Sequence, residues 1–272
     1  MIFLAVISAV YTPPKAYAND DDDSAYFTFV TRAWMNRWTT WDLLGFNYTD
    51  GSSRFYPTSV SSSNEITPSY LLAYKQGDFS YSFGITTDGS DHEFKSNINS
   101  WDKSSKTSQE VLLGYDLLPK TLTLNLGWTA LQQDFHSNNQ YYAKNGKSLS
   151  WDGPMLGLKA ISPLSDKIFL YGNAAISEMK TDDFPLTDAI GKDEFKARYT
   201  QTEFGLAYQS DLIQDYNTNL FISLGYRIQS VTTKDFSLPY IDKNGVKNTL
   251  EKVDLKDITE GVSLTFMLQF TD

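Results

Sequence analysis

Two histidines, His92 and His136, are the residues best suited to act as general bases near neutral pH. His92 lies in the segment DGSDHE, and His136 follows Asp134 by two positions. A nearby carboxylate can orient an imidazole as the base that takes a proton from water. Both histidines fall in polar segments that predict long loops, where a histidine is ordinarily solvated. The serine-rich segment 50–64 has no histidine near it, so we predict a flexible loop there and no catalytic residue in the chain.

Three clusters of aspartates offer oxygen ligands of the kind that Ca²⁺ takes. None has the spacing of a dedicated calcium-binding loop. We therefore expect solvated acidic loops, no metal site and no cofactor. The clusters are Asp20–Asp23, Asp88 with Asp91, and Asp182 with Asp183.

The composition excludes several classes of protein. The 272 residues carry a formal charge of −10, which argues against nucleic acid as a partner because binding phosphates needs clustered Lys and Arg. A mean hydropathy of −0.36 excludes a bundle of membrane helices, each of which needs about 20 consecutive apolar residues. It leaves open a barrel that crosses a membrane with strands, because alternating faces average to neutral. The absence of cysteine excludes a disulfide scaffold.

The first 18 residues have the pattern of a cleavable signal peptide. Ile2–Val10 forms an apolar core, and small residues at Ala16 and Ala18 fit cleavage after Ala18. No positive charge precedes the core, and the alternative is a short buried strand. We expect a signal peptide at 1–18, an acidic segment at 19–24 and one domain at 25–272.

From residue 25 onward the chain repeats one pattern, a run of alternating apolar and polar residues followed by a polar connection. This alternation is typical of β-strands, whose successive side chains point to opposite faces. No stretch shows helical periodicity. Ten strands are predicted: Tyr26–Trp38, Ile66–Lys75, Phe79–Thr87, Ser108–Leu117, Thr121–Gln132, Trp151–Ile161, Lys167–Ser177, Lys196–Gln209, Asn219–Ser230 and Ile258–Phe270.

The connections alternate between short and long. This favours an all-β fold, a transmembrane antiparallel up-and-down β-barrel with short periplasmic turns and long extracellular loops. Segments 41–49 and 54–60 leave open an extra hairpin, which would raise the strand number to twelve. The short turns are Gln76–Asp78, Leu117–Lys120, Ser162–Asp166 and Ser210–Asn217, and the long segments are 39–65, 88–107, 133–150, 178–195 and 231–257.

Each predicted strand has one apolar face and one face of small, polar or charged residues. A secreted soluble β-protein would also alternate, with its apolar face inward. Charges interleaved with glycines favour a narrow barrel instead, because opposite charges can pair there and glycine leaves room. The charged residues predicted to line the lumen are Arg32, Lys75, Glu110, Asp116, Lys159, Glu203 and Arg227.

Aromatic residues concentrate near the ends of the predicted strands. Amphipathic rings prefer the boundary between lipid and water, so we expect two aromatic girdles around the barrel. The residues assigned to them are Tyr26, Trp38, Trp41, Tyr74, Phe79, Tyr115, Trp151, Tyr199 and Tyr208.

The signal-like start, the even strand number, the alternating connections and the terminal segment VSLTFMLQF together resemble a Gram-negative outer-membrane β-barrel protein. The resemblance covers residues 25–270 at the level of the class and names no single family. It implies that the last strand is the signal read by the barrel-assembly machinery, although Thr271 and Asp272 follow the usual terminal aromatic. The residues of that signal are Val262, Leu264, Phe266, Leu268 and Phe270.

The leading hypothesis is a non-enzymatic barrel in the outer membrane, with a narrow or plugged lumen because ten strands enclose little more than their own side chains. Its partners would be lipid, lipopolysaccharide and, for an open lumen, small solutes or ions. A surface-binding barrel that acts through its loops is an alternative. The segment Asp134–His136 resembles the Asp–His couple of the omptin proteases, but no matching Asp-x-Asp pair is found on an earlier strand end. A lipid-modifying barrel enzyme would need histidine and serine at the barrel wall, where we expect neither histidine.

Overall fold

The computed structural model describes residues 25–47, 53–87, 92–95, 100–135, 147–181, 195–241 and 247–271, so the expected signal peptide and acidic segment lie outside the described residues. One short 3-10 helix, Asp211–Tyr216, lies in the described ranges. No helix in the described ranges is long and apolar enough to span a bilayer. The strands are β1 Tyr26–Asn47, β2 Ser53–Gln76, β3 Phe79–Thr86, β4 His92–Lys95, β5 Ser100–Leu118, β6 Leu122–Phe135, β7 Lys147–Pro163, β8 Ile168–Thr181, β9 Phe195–Ser210, β10 Thr218–Ile241 and β11 Lys247–Thr271.

The strands form a closed antiparallel barrel. Apart from the short strands β3 and β4, each strand pairs with its neighbours in the sequence, and β1 pairs with both β2 and β11, which closes the sheet. β3 and β4 both lie between β2 and β5, so these two short strands share one position in the wall. The barrel therefore has ten strand positions, as the alternating pattern predicts, and the alternative of twelve is wrong.

All four predicted short turns are confirmed, and they lie at one rim of the barrel, which we call the turn rim. Gly77 has a φ of 54°, a left-handed conformation that glycine adopts without a steric cost. Lys120 and Asn217 also have positive φ, at 60° and 50°. Ser210 accepts a hydrogen bond from the amide of Leu212 and so caps the 3-10 helix.

At the opposite rim, the loop rim, much of what the sequence predicts as loop is strand. β1 and β2 remain paired as far as Asn47 and Ser53, so segments 41–49 and 54–60 extend one existing hairpin. β10 and β11 likewise pair as far as Ile241 and Lys247. Strands of 22 to 25 residues at these positions exceed the 9–11 residues that cross a bilayer, so these hairpins continue beyond its thickness.

The outer face of the barrel is an apolar belt. Phe27 and Leu224 are 61% and 60% exposed there. The predicted assembly signal on β11 lies on this face, with Val262, Leu264, Phe266 and Phe270 exposed and Leu268 half-buried. Glu260 lies opposite Arg37 of β1. Arg37 is the first charged residue on the outer face of β1 after Met35, counting towards the loop rim. The belt explains why every second residue of each strand is apolar, because such a surface is stable in contact with lipid rather than water.

Candidate functional site

The half of the lumen nearer the turn rim contains a cavity of about 370 Å³, which we call the charged cavity. Tyr26, Lys120 and Thr121 at the strand ends border it, so it reaches the turn rim. All the charged residues that the sequence singles out for the lumen border it together: Arg32, Lys75, Glu110, Asp116, Lys159, Glu203 and Arg227.

Near the turn rim, Lys75 of β2 and Asp116 of β5 form an ion pair across the lumen side of β3. The hydroxyl of Thr123 donates to Asp116 Oδ1 at 2.7 Å, which occupies the second carboxylate oxygen. Lys159 of β7 stands opposite Thr123 in the next strand pair. Its side chain is exposed even though it faces the lumen, because it projects into the open space of the cavity.

Deeper in the barrel, Glu203 of β9 joins four strands. Arg32 Nη2 of β1 lies 3.2 Å from Glu203 Oε2, and the hydroxyls of Tyr171 and Ser263 each donate to Glu203 Oε1 at 3.0 Å. Arg32 Nε also donates to Thr265 Oγ1 at 3.1 Å. These contacts offset the cost of burying the carboxylate of Glu203 inside the barrel.

Arg227 of β10 is held by a polar and an aromatic partner. Its Nη2 donates to Gln201 Oε1 at 2.9 Å, and its guanidinium carbon lies 5.1 Å from the ring centre of Trp34. Gln229 Nε2 also donates to Gln201 Oε1 and to the hydroxyl of Tyr199, at 3.1 Å each. Arg227 stands directly opposite Glu203, and Gln201, Tyr199 and Gln229 lie on the loop-rim side of it.

Beyond this network the lumen is filled by buried apolar side chains, which we call the aromatic plug. Trp38 is central, with ring centres of Phe94 and Phe135 at 5.2 and 5.5 Å. The prediction of outer aromatic girdles is therefore wrong for Tyr26, which borders the charged cavity, and for four residues that point inward: Trp38, Trp41, Trp151 and Tyr199. It is confirmed for Phe79, Tyr115 and Tyr208, which lie exposed on the outer face. The plug consists of Trp38, Trp41, Phe94, Leu131, Phe135, Leu149, Trp151, Met155, Met179, Phe195, Ala197, Tyr199, Val231 and Leu255.

A buried ion pair, missed by the sequence analysis, stands inside the plug. Lys106 Nζ of β5 lies 3.2 Å from Asp257 Oδ1 of β11 and donates to Thr259 Oγ1 at 2.8 Å. Trp38 Nε1 and Thr40 Oγ1 donate to the same carboxylate at 2.9 and 2.6 Å. Both charged residues continue the inward parity of their strands, so alternation extended into the predicted loops would have identified them.

The prediction that His92 lies in a solvated loop is wrong. His92 begins β4 and is 1% exposed, with Nδ1 3.2 Å from Ser62 Oγ and its ring 5.4 Å from that of Trp38. Ser62 Oγ also accepts from the Trp38 amide at 2.9 Å. The void beside His92 is about 10 Å³, no more than one water needs, so this serine–histidine pair has no room for an acyl substrate.

The other residues considered for chemistry are only partly described. Asp134, near the end of β6, lies at the loop rim on the outer parity, where Gln132 Nε2 donates to its Oδ2 at 3.2 Å. His136 and the three aspartate clusters lie outside the described residues. Within the described ranges no group of three acidic, histidine or cysteine side chains is placed to hold a metal ion.

At the turn rim itself, a charged pair joins two neighbouring turns. Lys167 precedes β8, and Asp211 opens the 3-10 helix that follows β9. The ammonium group of Lys167 donates a hydrogen bond to Asp211, and this bond raises the pKa of Lys167 above its ordinary value. Both side chains are exposed, so solvent screens the pair and it adds little to stability.

No protein-family model and no curated protein sequence matches the chain. Among solved structures it is similar to the outer membrane protease OmpT from Escherichia coli, at 9% identity and a TM-score of 0.51, covering 93% of this chain and 98% of that one. An outer membrane channel from Pseudomonas putida F1 matches at 13% identity and a TM-score of 0.37, covering 96% and 100%. The P. putida toluene transporter TodX matches at 10% and 0.33, covering 95% and 91%. With the closed ten-position barrel, the OmpT likeness shows that this chain has the fold of the outer-membrane β-barrel class.

Proposed function

We propose that this protein is an integral, non-enzymatic barrel of the Gram-negative outer membrane, exported by a cleavable signal peptide, whose lumen is closed near the loop rim. The apolar outer belt supports the membrane location, because such a surface is stable only against lipid. The fold of the outer-membrane class supports the same location. The seven charged residues of the cavity then serve to stabilise and shape the lumen rather than to line an open pore.

The aromatic plug carries this proposal. Side chains from eight strands meet in the lumen, and Trp38, Phe94 and Phe135 at its centre are completely buried. A path for hydrated ions would need a continuous column of water, and a close-packed apolar cluster leaves none. The small void beside the plug, about 10 Å³, provides no bypass.

Conductance in a planar bilayer tests the closed lumen. The purified protein should insert without producing current steps, whereas Trp38→Ala with Phe135→Ala should produce them because two rings leave the plug. Trp128→Ala is the matched control, since Trp128 is 51% exposed on the outer face and its loss leaves the lumen unchanged. Regular current steps from the wild-type protein would contradict the proposal.

A surface-binding role acting through the loops is a second candidate. The observation that favours it is the length of the β1–β2 and β10–β11 hairpins, which extend beyond what a bilayer needs. Such hairpins would present the acidic loops to lipopolysaccharide or to an external partner. Replacing residues 42–58 with a short turn should abolish attachment of cells to a surface while the barrel still assembles, and unchanged attachment would exclude this role for that hairpin.

A further inference from the structure

The base of the charged cavity carries more positive than negative charge. Lys75 and Lys159 stand there with one carboxylate, that of Asp116, which already pairs with Lys75. Glu110, the next acid on β5, lies six positions nearer the loop rim. Its electrostatic partners there include Arg32. Lys120, in the turn before β6, also borders the base, so lysines outnumber carboxylates there by two.

Of Lys120 and Lys159, Lys159 is the one that lies within a strand and faces the lumen. Among the lumen-facing cations that the structure describes, Arg32, Lys75, Lys106 and Arg227 each have an ion pair or a hydrogen bond. No described residue makes such a contact with the ammonium group of Lys159. Its exposure inside the lumen shows that there is space around this group for a partner that is not part of the fold.

The same cavity also offers apolar surface close to the turn rim. Phe169 of β8 and Phe221 of β10 have ring centres 6.2 Å apart and lie behind the cavity wall, because they are only 3% and 4% exposed. Met267 of β11 and Val30 of β1 border the cavity. A wall of this kind accommodates an apolar body, while the side chain of Lys159 supplies a hydrogen-bond donor for an anionic group.

We propose that the charged cavity binds a small organic monoanion, a carboxylate with an apolar body, through Lys159 with support from Lys75. A volume of about 370 Å³ lies within the range of small-molecule sites, roughly 300–1,000 Å³. The low-dielectric walls of a barrel concentrate the field of an excess charge, which draws anions inward. Because the plug closes the loop-rim side, the ligand enters from the turn rim, on the periplasmic side of the proposed orientation.

Isothermal titration of the purified full chain in detergent tests this site with three probes of one shape: benzoate, benzamide and benzylamine. Benzoate should bind at least tenfold more tightly than the neutral and cationic probes, because only it forms a charge-assisted hydrogen bond with Lys159. Lys159→Met should weaken benzoate binding at least tenfold, while Lys159→Arg should retain it within about threefold, since arginine keeps the charge. Lys256→Met, on the exposed outer face of β11, is the matched control and should leave binding unchanged.

Three outcomes would overturn the proposal. The first is no heat of benzoate binding to the wild-type barrel, and the second is equal affinity for benzoate and benzamide. The third is a Lys159→Met protein that binds benzoate as the wild type does. The probe comparison on the wild-type protein stands even if a variant fails to fold, which a heat-dependent shift in gel mobility would reveal. Conductance is not the readout, so this test is independent of whether the lumen is closed.

Discussion

At the scale of the residue, charges inside this barrel are stabilised by partners from distant strands. The carboxylate of Asp257 in β11 forms an ion pair with Lys106 of β5 and accepts hydrogen bonds from Trp38 and Thr40 of β1. Removing a charge from water costs several kcal/mol, and several hydrogen bonds to one carboxylate offset that cost. The pair thus joins β5 to the β1–β11 seam that closes the barrel.

Asp257→Asn should destabilise the barrel by about 3–5 kcal/mol, because the buried ammonium of Lys106 would lose the carboxylate with which it pairs. Urea unfolding of the detergent-solubilised protein, followed by tryptophan fluorescence, would measure the loss. Asp254→Asn is the control, since Asp254 is exposed on the outer parity of the same strand and should change the free energy of unfolding by no more than about 0.5 kcal/mol. Equal losses for the two variants would show that the buried pair does not stabilise the barrel.

The charged residues of the cavity could be singled out from the sequence because they share one parity within clear strands. The direction of the inner aromatics could not be predicted in the same way. Trp38 and Trp151 lie near the ends of the predicted strands, where outward rings are ordinarily found. The alternation of side chains places both tryptophans on the lumen face of their strands. No sequence rule, however, indicates whether a lumen is filled by aromatic rings or by water.

At the scale of the element, glycine allows the wall to close tightly. A Cβ added to Gly261 of β11 would lie 2.0 Å from the carbonyl oxygen of Met35 and 2.6 Å from Cα of Asn36, both in the backbone of β1. Backbone cannot rotate away as a flexible side chain can. The first and last strands therefore meet closely only because this position has no side chain.

Gly261→Ala should destabilise the barrel by about 1–3 kcal/mol or slow its closure, because the two strands must separate to admit the methyl group. Gly172→Ala is the matched control on β8, since its Cβ would have its nearest neighbour at 3.7 Å, an ordinary contact. That change should be neutral or slightly stabilising. Urea titration with gel mobility as the readout compares the two, and an equally harmless Gly261→Ala would exclude the steric explanation.

The existence and order of the strands could be predicted, but their ends at the loop rim could not. Residues 41–47 of β1 and 53–60 of β2 do not alternate strictly, because Leu43 is followed by Leu44 and Phe55 by Tyr56, and Pro57 interrupts the second segment. In the structure these portions pair with each other outside the apolar belt, where neither face needs to be apolar. The alternation of apolar and polar residues therefore ends before the backbone pairing of the two strands does.

At the scale of the whole molecule, the barrel has an apolar exterior and two different halves inside. The charged cavity occupies the half nearer the turn rim, and the aromatic plug fills the half nearer the loop rim. The sequence predicts a lumen lined by small, polar and charged residues, which the structure shows in the charged cavity, whereas apolar side chains around one ion pair fill the plug. The account as a whole depends on lipid covering the outside while tryptophans fill the inside.

Quenching of tryptophan fluorescence by brominated lipids tests that claim directly. Trp128 is 51% exposed on the outer face, whereas Trp38 is fully buried in the plug. In vesicles of brominated phosphatidylcholine, the quenched fraction of the fluorescence should fall in Trp128→Phe, which loses a ring in contact with lipid. It should rise in Trp38→Phe, which loses a shielded ring. A quenched fraction that Trp128→Phe leaves unchanged would contradict a barrel coated by lipid.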